Sequence, residues 1–150
     1  MNPITSHSAP RRIIVDSREQ RPYDFEGFTT VRRALPAGDY SLEGLETRFA
    51  VERKSLDDWV QTVLRARGRF SRELTRLQSY DWAAVVIEGS IADILAGNYR
   101  SDVAPEALLG ITVSLMQAYT PVHIIFGGDR PHAAALVAEL LKMGGERTWQ

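Results

Sequence analysis

The hydrophobic period of this sequence changes at Lys54, and that change restricts what the chain can fold into. Residues 49–54 (Phe-Ala-Val-Glu-Arg-Lys) suit a strand, in which successive side chains point to opposite faces. Phe49, Val51 and Arg53 then share one face, and Ala50, Glu52 and Lys54 share the other. From Leu56 onward the pattern is helical. Leu56, Trp59, Val60, Val63 and Leu64 fall at i, i+3, i+4, i+7 and i+8, one stripe of an amphipathic helix. Ser55 and Asp58 make the Ser-x-x-Asp pattern of a capping box at its start.

The same alternation of periods extends along the chain. Residues 12–15 (Arg-Ile-Ile-Val) form a short apolar run that fits a buried strand ending at Asp16. Residues 28–35, 39–42 and 47–54 read as three further strands, so this half of the chain is expected to be a β-meander. Gly68 is expected to break the first helix, with a second over residues 70–79. Residues 82–88 form another buried strand, whose Glu88 either approaches the site from the strand end or, the preferred reading, is a surface turn residue. A short helix over 91–96 and a longer one to about Tyr119, started by Pro105 and capped by Ser101 or Asp102, follow. The apolar run 121–126 is a strand, and Asp129 and Pro131 start a last helix to about Met143. Strands interleaved with helices predict a three-layer α/β/α domain, a mixed central sheet with helices on both faces. Residues 1–11 are expected to be a flexible tail, 12–143 the domain, and 144–150 a second tail in which Trp149 has a docking contact open to it.

The candidate chemistry lies in the strands. Glu52 and Lys54 stand side by side on one face, and Asp39 arrives from an adjacent stretch. Asp16 sits at the carboxyl end of its strand, where open α/β sheets place functional groups, or else caps a turn with Ser17. Carboxylates beside a lysine can bind a hard cation, hold water and approach a phosphate, the equipment of a metal-dependent phosphodiesterase. Arg65, Arg67, Arg69, Arg72 and Arg76 crowd five arginines into twelve residues against one acid, Glu73. In isolation such a run is a solvated helix face; beside a carboxylate cluster it points to the backbone of a polyanion such as DNA.

Composition narrows the remaining classes. With no cysteine there is no disulfide, thiolate metal site or cysteine nucleophile. The formal net charge of −1 rules out a surface coated with positive charge, so any basic patch must be local. The apolar runs are too short to span a bilayer and the polar N-terminus lacks a signal-peptide core, which makes a cytoplasmic location the expectation. His123 and His132 read as scaffold.

Val15-Asp16-Ser17-Arg18-Glu19, Gly38-Asp39-Tyr40, and Glu52-Arg53-Lys54 followed by Asp58 resemble, in order, the motifs of the XPF-type structure-specific nuclease domain. That family's signature is Gly-Asp, a variable gap, and Glu-Arg-Lys-x-x-x-Asp. Gly68-Arg69-Phe70 and Val86-Ile87-Glu88 are similar to its following segments, so the likeness covers about residues 12–143. The resemblance implies a restriction-endonuclease-like fold and a Mg²⁺- or Mn²⁺-dependent endonuclease that hydrolyses phosphodiester bonds of branched, flap or junction DNA in repair or recombination. It implies that Asp39 and Glu52 bind the metal, with Asp16 helping through a second ion or a bridging water. Lys54 would orient or deprotonate the attacking water. Arg18 and Arg53 would hold phosphate or the carboxylate geometry, and Glu19 and Asp58 would support the site. Family members usually carry tandem helix-hairpin-helix modules after this domain, whereas here a single helix follows the last strand. The partners implied are therefore DNA and either a second copy of the chain or a protein that supplies such a module. The rival expectation is an inactive nuclease-like module that binds DNA or protein; the joint presence of Asp16, Asp39, Glu52, Lys54 and Asp58 favours activity.

Overall fold

The computed structural model describes residues 10–149, so most of the expected N-terminal tail lies outside the described residues. The chain builds one six-stranded sheet from β1 (Ile13–Asp16), β2 (Thr30–Arg33), β3 (Tyr40–Leu42), β4 (Phe49–Ser55), β5 (Trp82–Glu88) and β6 (His123–Phe126). The spatial order is β2-β1-β3-β4-β5-β6. β3 is antiparallel to both β1 and β4, while the β1–β2, β4–β5 and β5–β6 pairs are parallel. The helices are α1 (Leu56–Arg65), α2 (Arg67–Gln78), α3 (Ile91–Leu95), α4 (Pro105–Ala118) and α5 (Arg130–Glu146).

The pleat of β4 sorts the core as its alternation requires. Ala50 joins Trp59 and Val60 of α1, Leu74 and Leu77 of α2, Ile94 of α3 and Leu108 of α4 on one side of the sheet. Phe49 and Val51 join Val137 and Leu141 of α5 on the other. The α/β/α layering and the mixed sheet follow, because each face must cover its apolar side chains. Trp59 is fully buried, and its indole N–H donates to Thr112 Oγ1 at 3.0 Å, fastening α1 to α4. Among the described residues no helix is long and apolar enough to cross a membrane.

Several expectations are corrected. The first strands are not a meander, because β2 lies parallel to β1 at the sheet edge and leaves β1 free to pair with β3. The break between α1 and α2 falls at Ala66, and Gly68 lies inside α2. Ala104, without a side-chain cap, precedes α4, and Ser101 Oγ instead accepts the Val103 N–H. α5 continues beyond Met143 to Glu146, and Trp149 packs edge-on against Phe49 while its N–H donates to the Gly144 carbonyl.

Candidate active site

Three acidic residues come to one level by register alone. Tyr40 pairs with Val15 on one side and with Val51 on the other. One step further along both ladders, Asp16 at the end of β1, Asp39 just before β3 and Glu52 in the middle of β4 stand next to one another. The Asp16 N–H donates to the Asp39 carbonyl at 2.8 Å, and the Asp39 N–H to the Val51 carbonyl at 2.9 Å. Cross-strand neighbours project to the same face, here the α2 face. Gly38 makes this approach feasible. Its φ is +79°, and a Cβ there would lie 3.0 Å from Ala50 Cβ and 3.3 Å from the Val51 carbonyl oxygen.

The three side chains line a cleft of about 390 Å³ that α2 closes with Arg69, Arg72, Glu73 and Arg76. The acids differ in what holds them. Asp16 is buried, with Oδ2 accepting from Arg18 Nε at 3.0 Å and Oδ1 from the Leu35 N–H at 2.9 Å. Burial pushes its carboxyl up, but the Arg18 hydrogen bond, the Leu35 N–H and the guanidinium charge outweigh burial and hold it below the usual range. Asp39 accepts from the Arg53 N–H at 2.7 Å, yet burial and the nearby Glu19 charge push it up to about 6. Glu52 is pushed well above the ordinary carboxyl range by burial, by the Asp39 charge and by the Glu73 carboxyl that hydrogen-bonds to it. Lys54 Nζ stands 3.9 Å from Glu52 Oε1 and 5.4 Å from the centre of the Phe70 ring.

Asp39, Glu52 and Lys54 are thus brought together, with Asp16 in the same cleft but turned onto Arg18. Among the described residues no three His, Asp or Glu side chains stand close enough, as they are, to hold a metal ion. Asp39 and Glu52 nevertheless fit one by chemistry. They are hard oxygen donors in a shared cleft, and burial together with neighbouring negative charge raises the pKa of both, a penalty on the charged forms that a divalent cation would relieve.

The remaining predicted site residues divide. Arg18 lines the cleft and is largely exposed. Arg69, Arg72 and Arg76 form its rim, whereas Arg65 and Arg67 are exposed outside it. Asp58 is exposed and absent from the cleft; its N–H donates to Ser55 Oγ, a helix cap. Arg53 and Glu19 lie on the opposite face of the sheet. There the Arg53 guanidinium meets Glu88 at 2.8 Å and Glu19 at 3.8 Å, and Arg130 approaches Glu88 at 3.6 Å. Glu88 is therefore a buried ion-pair partner, which corrects its reading as a turn residue. Sequence reasoning also missed Glu73 as a cleft residue and Arg130 altogether. Glu73 could have been singled out as the one acid among five arginines, but Arg130 carries no such signal.

A mixed α/β/α sheet with acidic groups side by side on three adjacent chain segments, and a lysine one strand-period from the last of them, defines a restriction-endonuclease-like domain. The model of the ERCC4 domain matches residues 15–140, and the chain belongs to that family. Its fold is that of an XPF-type nuclease domain. XPF from Aeropyrum pernix superposes with a TM-score of 0.70 at 24% identity, over 91% of this chain and 66% of that one. A structure of XPF from Aeropyrum pernix in complex with DNA superposes with a TM-score of 0.67 at 27% identity, over 89% of this chain and 64% of that one. The chain thus spans just under two thirds of the length of these relatives. No curated protein matches it.

Proposed function

We propose that this domain is a Mg²⁺- or Mn²⁺-dependent endonuclease that hydrolyses DNA phosphodiester bonds, acting on branched, flap or junction substrates. The observation that carries the reading is the cleft itself: Asp39 and Glu52 on its floor, Lys54 3.9 Å from Glu52, and three arginines on its rim. The relative in complex with DNA supports DNA as the polyanion. Asp39 and Glu52 would hold the cation, with Asp16 reaching it through water. A bound divalent ion neutralises a phosphate and makes hydroxide available near neutral pH. Lys54 orients the attacking water and offsets charge on the phosphate. Arg69, Arg72 and Arg76 seat the strand, and Arg18 meets a flanking phosphate. A partner protein carrying a helix-hairpin-helix module would supply the selectivity for junctions.

The test is a cleavage panel of single-stranded, duplex, 3′-flap, 5′-flap, fork and nicked DNA with Mg²⁺ or Mn²⁺. Asp39→Asn, Glu52→Gln and Lys54→Ala are each expected to lower cleavage by about 10²-fold or more, a loss of about 3 kcal/mol or more in transition-state stabilisation, without loss of the fold. Full activity in all three removes the mechanism. An unreactive wild-type chain that binds no Mn²⁺ by calorimetry would identify an inert nuclease-like module instead.

A further inference from the structure

The acids of the cleft occupy one face of the sheet, but what fixes Asp39 comes from the other. β3 begins at Tyr40, so beyond Val51 the neighbouring edge of β4 has no strand to accept its N–H groups. The Asp39 carboxylate substitutes for the missing strand, with Oδ2 accepting the Arg53 N–H at 2.7 Å. Its aim into the cleft therefore depends on where the Arg53 peptide lies. The side chain of that same residue leaves the sheet on the far side, into a closed set of charges.

Arg53 Nη2 meets Glu88 Oε1 at 2.8 Å, and both side chains are about nine-tenths buried. Arg130, at the start of α5, approaches the second Glu88 oxygen at 3.6 Å and donates to the carbonyls of Arg21 and Pro22 at 2.8 and 3.3 Å. Both guanidinium groups lie over the Tyr23 ring, at 5.6 Å for Arg53 and 4.8 Å for Arg130. Tyr23 stacks on Tyr40, the residue after Asp39, and its N–H donates to the Tyr40 hydroxyl at 2.9 Å. The set reaches Asp39 by two routes, through the Arg53 peptide and through Tyr40.

We propose that Glu88 and Arg130 are positioning residues, which set the Asp39 carboxylate from behind the sheet by clamping Arg53. Neither touches the cleft. The inference rests on the reading of Asp39 as a cation-binding residue only in its second readout, Mn²⁺ affinity.

The experiment is residue-resolved amide hydrogen exchange on the full chain, for wild type, Glu88→Gln and Arg130→Met. If the clamp sets Asp39, the Arg53 amide exchanges at least about tenfold faster in both variants while Val51 and Ala84, deeper in the sheet, keep their protection. Calorimetry should then show Mn²⁺ binding weakened by about tenfold. Unchanged exchange at Arg53, or faster exchange raised equally at all three amides, overturns the proposal, since a merely structural pair moves them together. Arg130→Met enters the set at its more exposed end and keeps the test available should Glu88→Gln fail to fold. If wild type binds no Mn²⁺, the cation reading of the cleft fails and the exchange result alone decides the clamp. If wild type binds and both variants bind equally well, the cleft reading stands and the clamp is overturned.

Discussion

Asp39 illustrates how one residue is made both awkward and useful. Its N–H, its carbonyl and one carboxyl oxygen are all engaged with neighbouring strands, yet burial and the Glu19 charge push its pKa up to about 6. In the cation-free protein the folded state therefore holds this proton more tightly than the unfolded chain, whose aspartates titrate near ~3.9. The unfolded chain binds fewer protons between those values, so the stabilising contribution is complete below about pH 4 and is lost as pH rises through about 6. Glu52 is shifted in the same direction. Asp16 is shifted in the opposite one, so its contribution is present at and above the ordinary carboxyl range and lost only on acidification. Thermal melts in chelator are thus expected to show a lower melting temperature at pH 7.5 than at pH 5. Asp39→Asn should reduce that slope, leaving the part that burial of Glu52 contributes, and Mg²⁺ should restore stability at pH 7.5; a slope unchanged in the variant would locate its cause elsewhere. The ordered motif made Asp39, Glu52 and Lys54 legible in the sequence, since period-2 alternation fixes their face. Glu73 and Glu88 were not legible as site and ion-pair residues. What makes them so is the packing of α2 beside Lys54 and the arrival of Arg130 from the far end of the chain; the first leaves only the trace of a lone acid among five arginines, and the second leaves no local pattern.

At the scale of the element, α2 does two things at once. It buries Phe70, Leu74 and Leu77 against the sheet and presents Arg69, Arg72 and Arg76 to the cleft. Its amphipathic period was readable, and so was its excess of arginine. The division of those arginines was readable in part, since Arg69, Arg72 and Arg76 fall within about 60° of one another on a helical wheel and Arg67 does not, whereas the separation of Arg65 depends on the break at Ala66. β2 is the clearest failure of local reading: a short, largely exposed strand carries no sign of whether it pairs antiparallel or crosses to the edge. The split among the arginines is measurable. In a Glu52→Gln background, which stops cleavage, the pair Arg69→Ala and Arg72→Ala is expected to reduce the slope of log affinity for DNA against log salt by about 2. Changing Arg65 and Arg67 to Ala should alter it much less, and equal effects from both pairs would return the whole stretch to a solvated face. Gly38→Ala should cost about 1–3 kcal/mol in urea denaturation, because it adds a Cβ at positive φ against Ala50.

Over the whole molecule the sheet separates two electrostatic systems that share one strand. Glu52 of β4 lines the cleft on the α2 side, with Lys54 beside it on that face, while Arg53 between them joins the buried ion pairs on the α5 side. Helix α5 meets this arrangement only at its first residue, Arg130; its other end performs a different task. Gly144 lies so close to the sheet that a Cβ would sit 2.5 Å from the Phe49 ring, and Phe49 in turn stacks on Trp82. Filling that contact forces the helix and the ring apart, an overpacking that costs about 1–3 kcal/mol. Gly144→Leu is therefore expected to lower the melting temperature by about 2–4 °C for each kcal/mol lost. Because the strain enters at the start of β4, remote from Arg53, Mn²⁺ affinity measured well below the transition should stay within about twofold of wild type. Arg130→Met should show the reverse balance, with a smaller loss of stability and a larger loss of cation affinity. A Gly144→Leu protein that keeps its stability would mean that α5 is not seated on Phe49. One that loses cation affinity in proportion to its stability would mean that the two ends of the helix act as a single support, and the separation of the layers into cleft and scaffold would not hold.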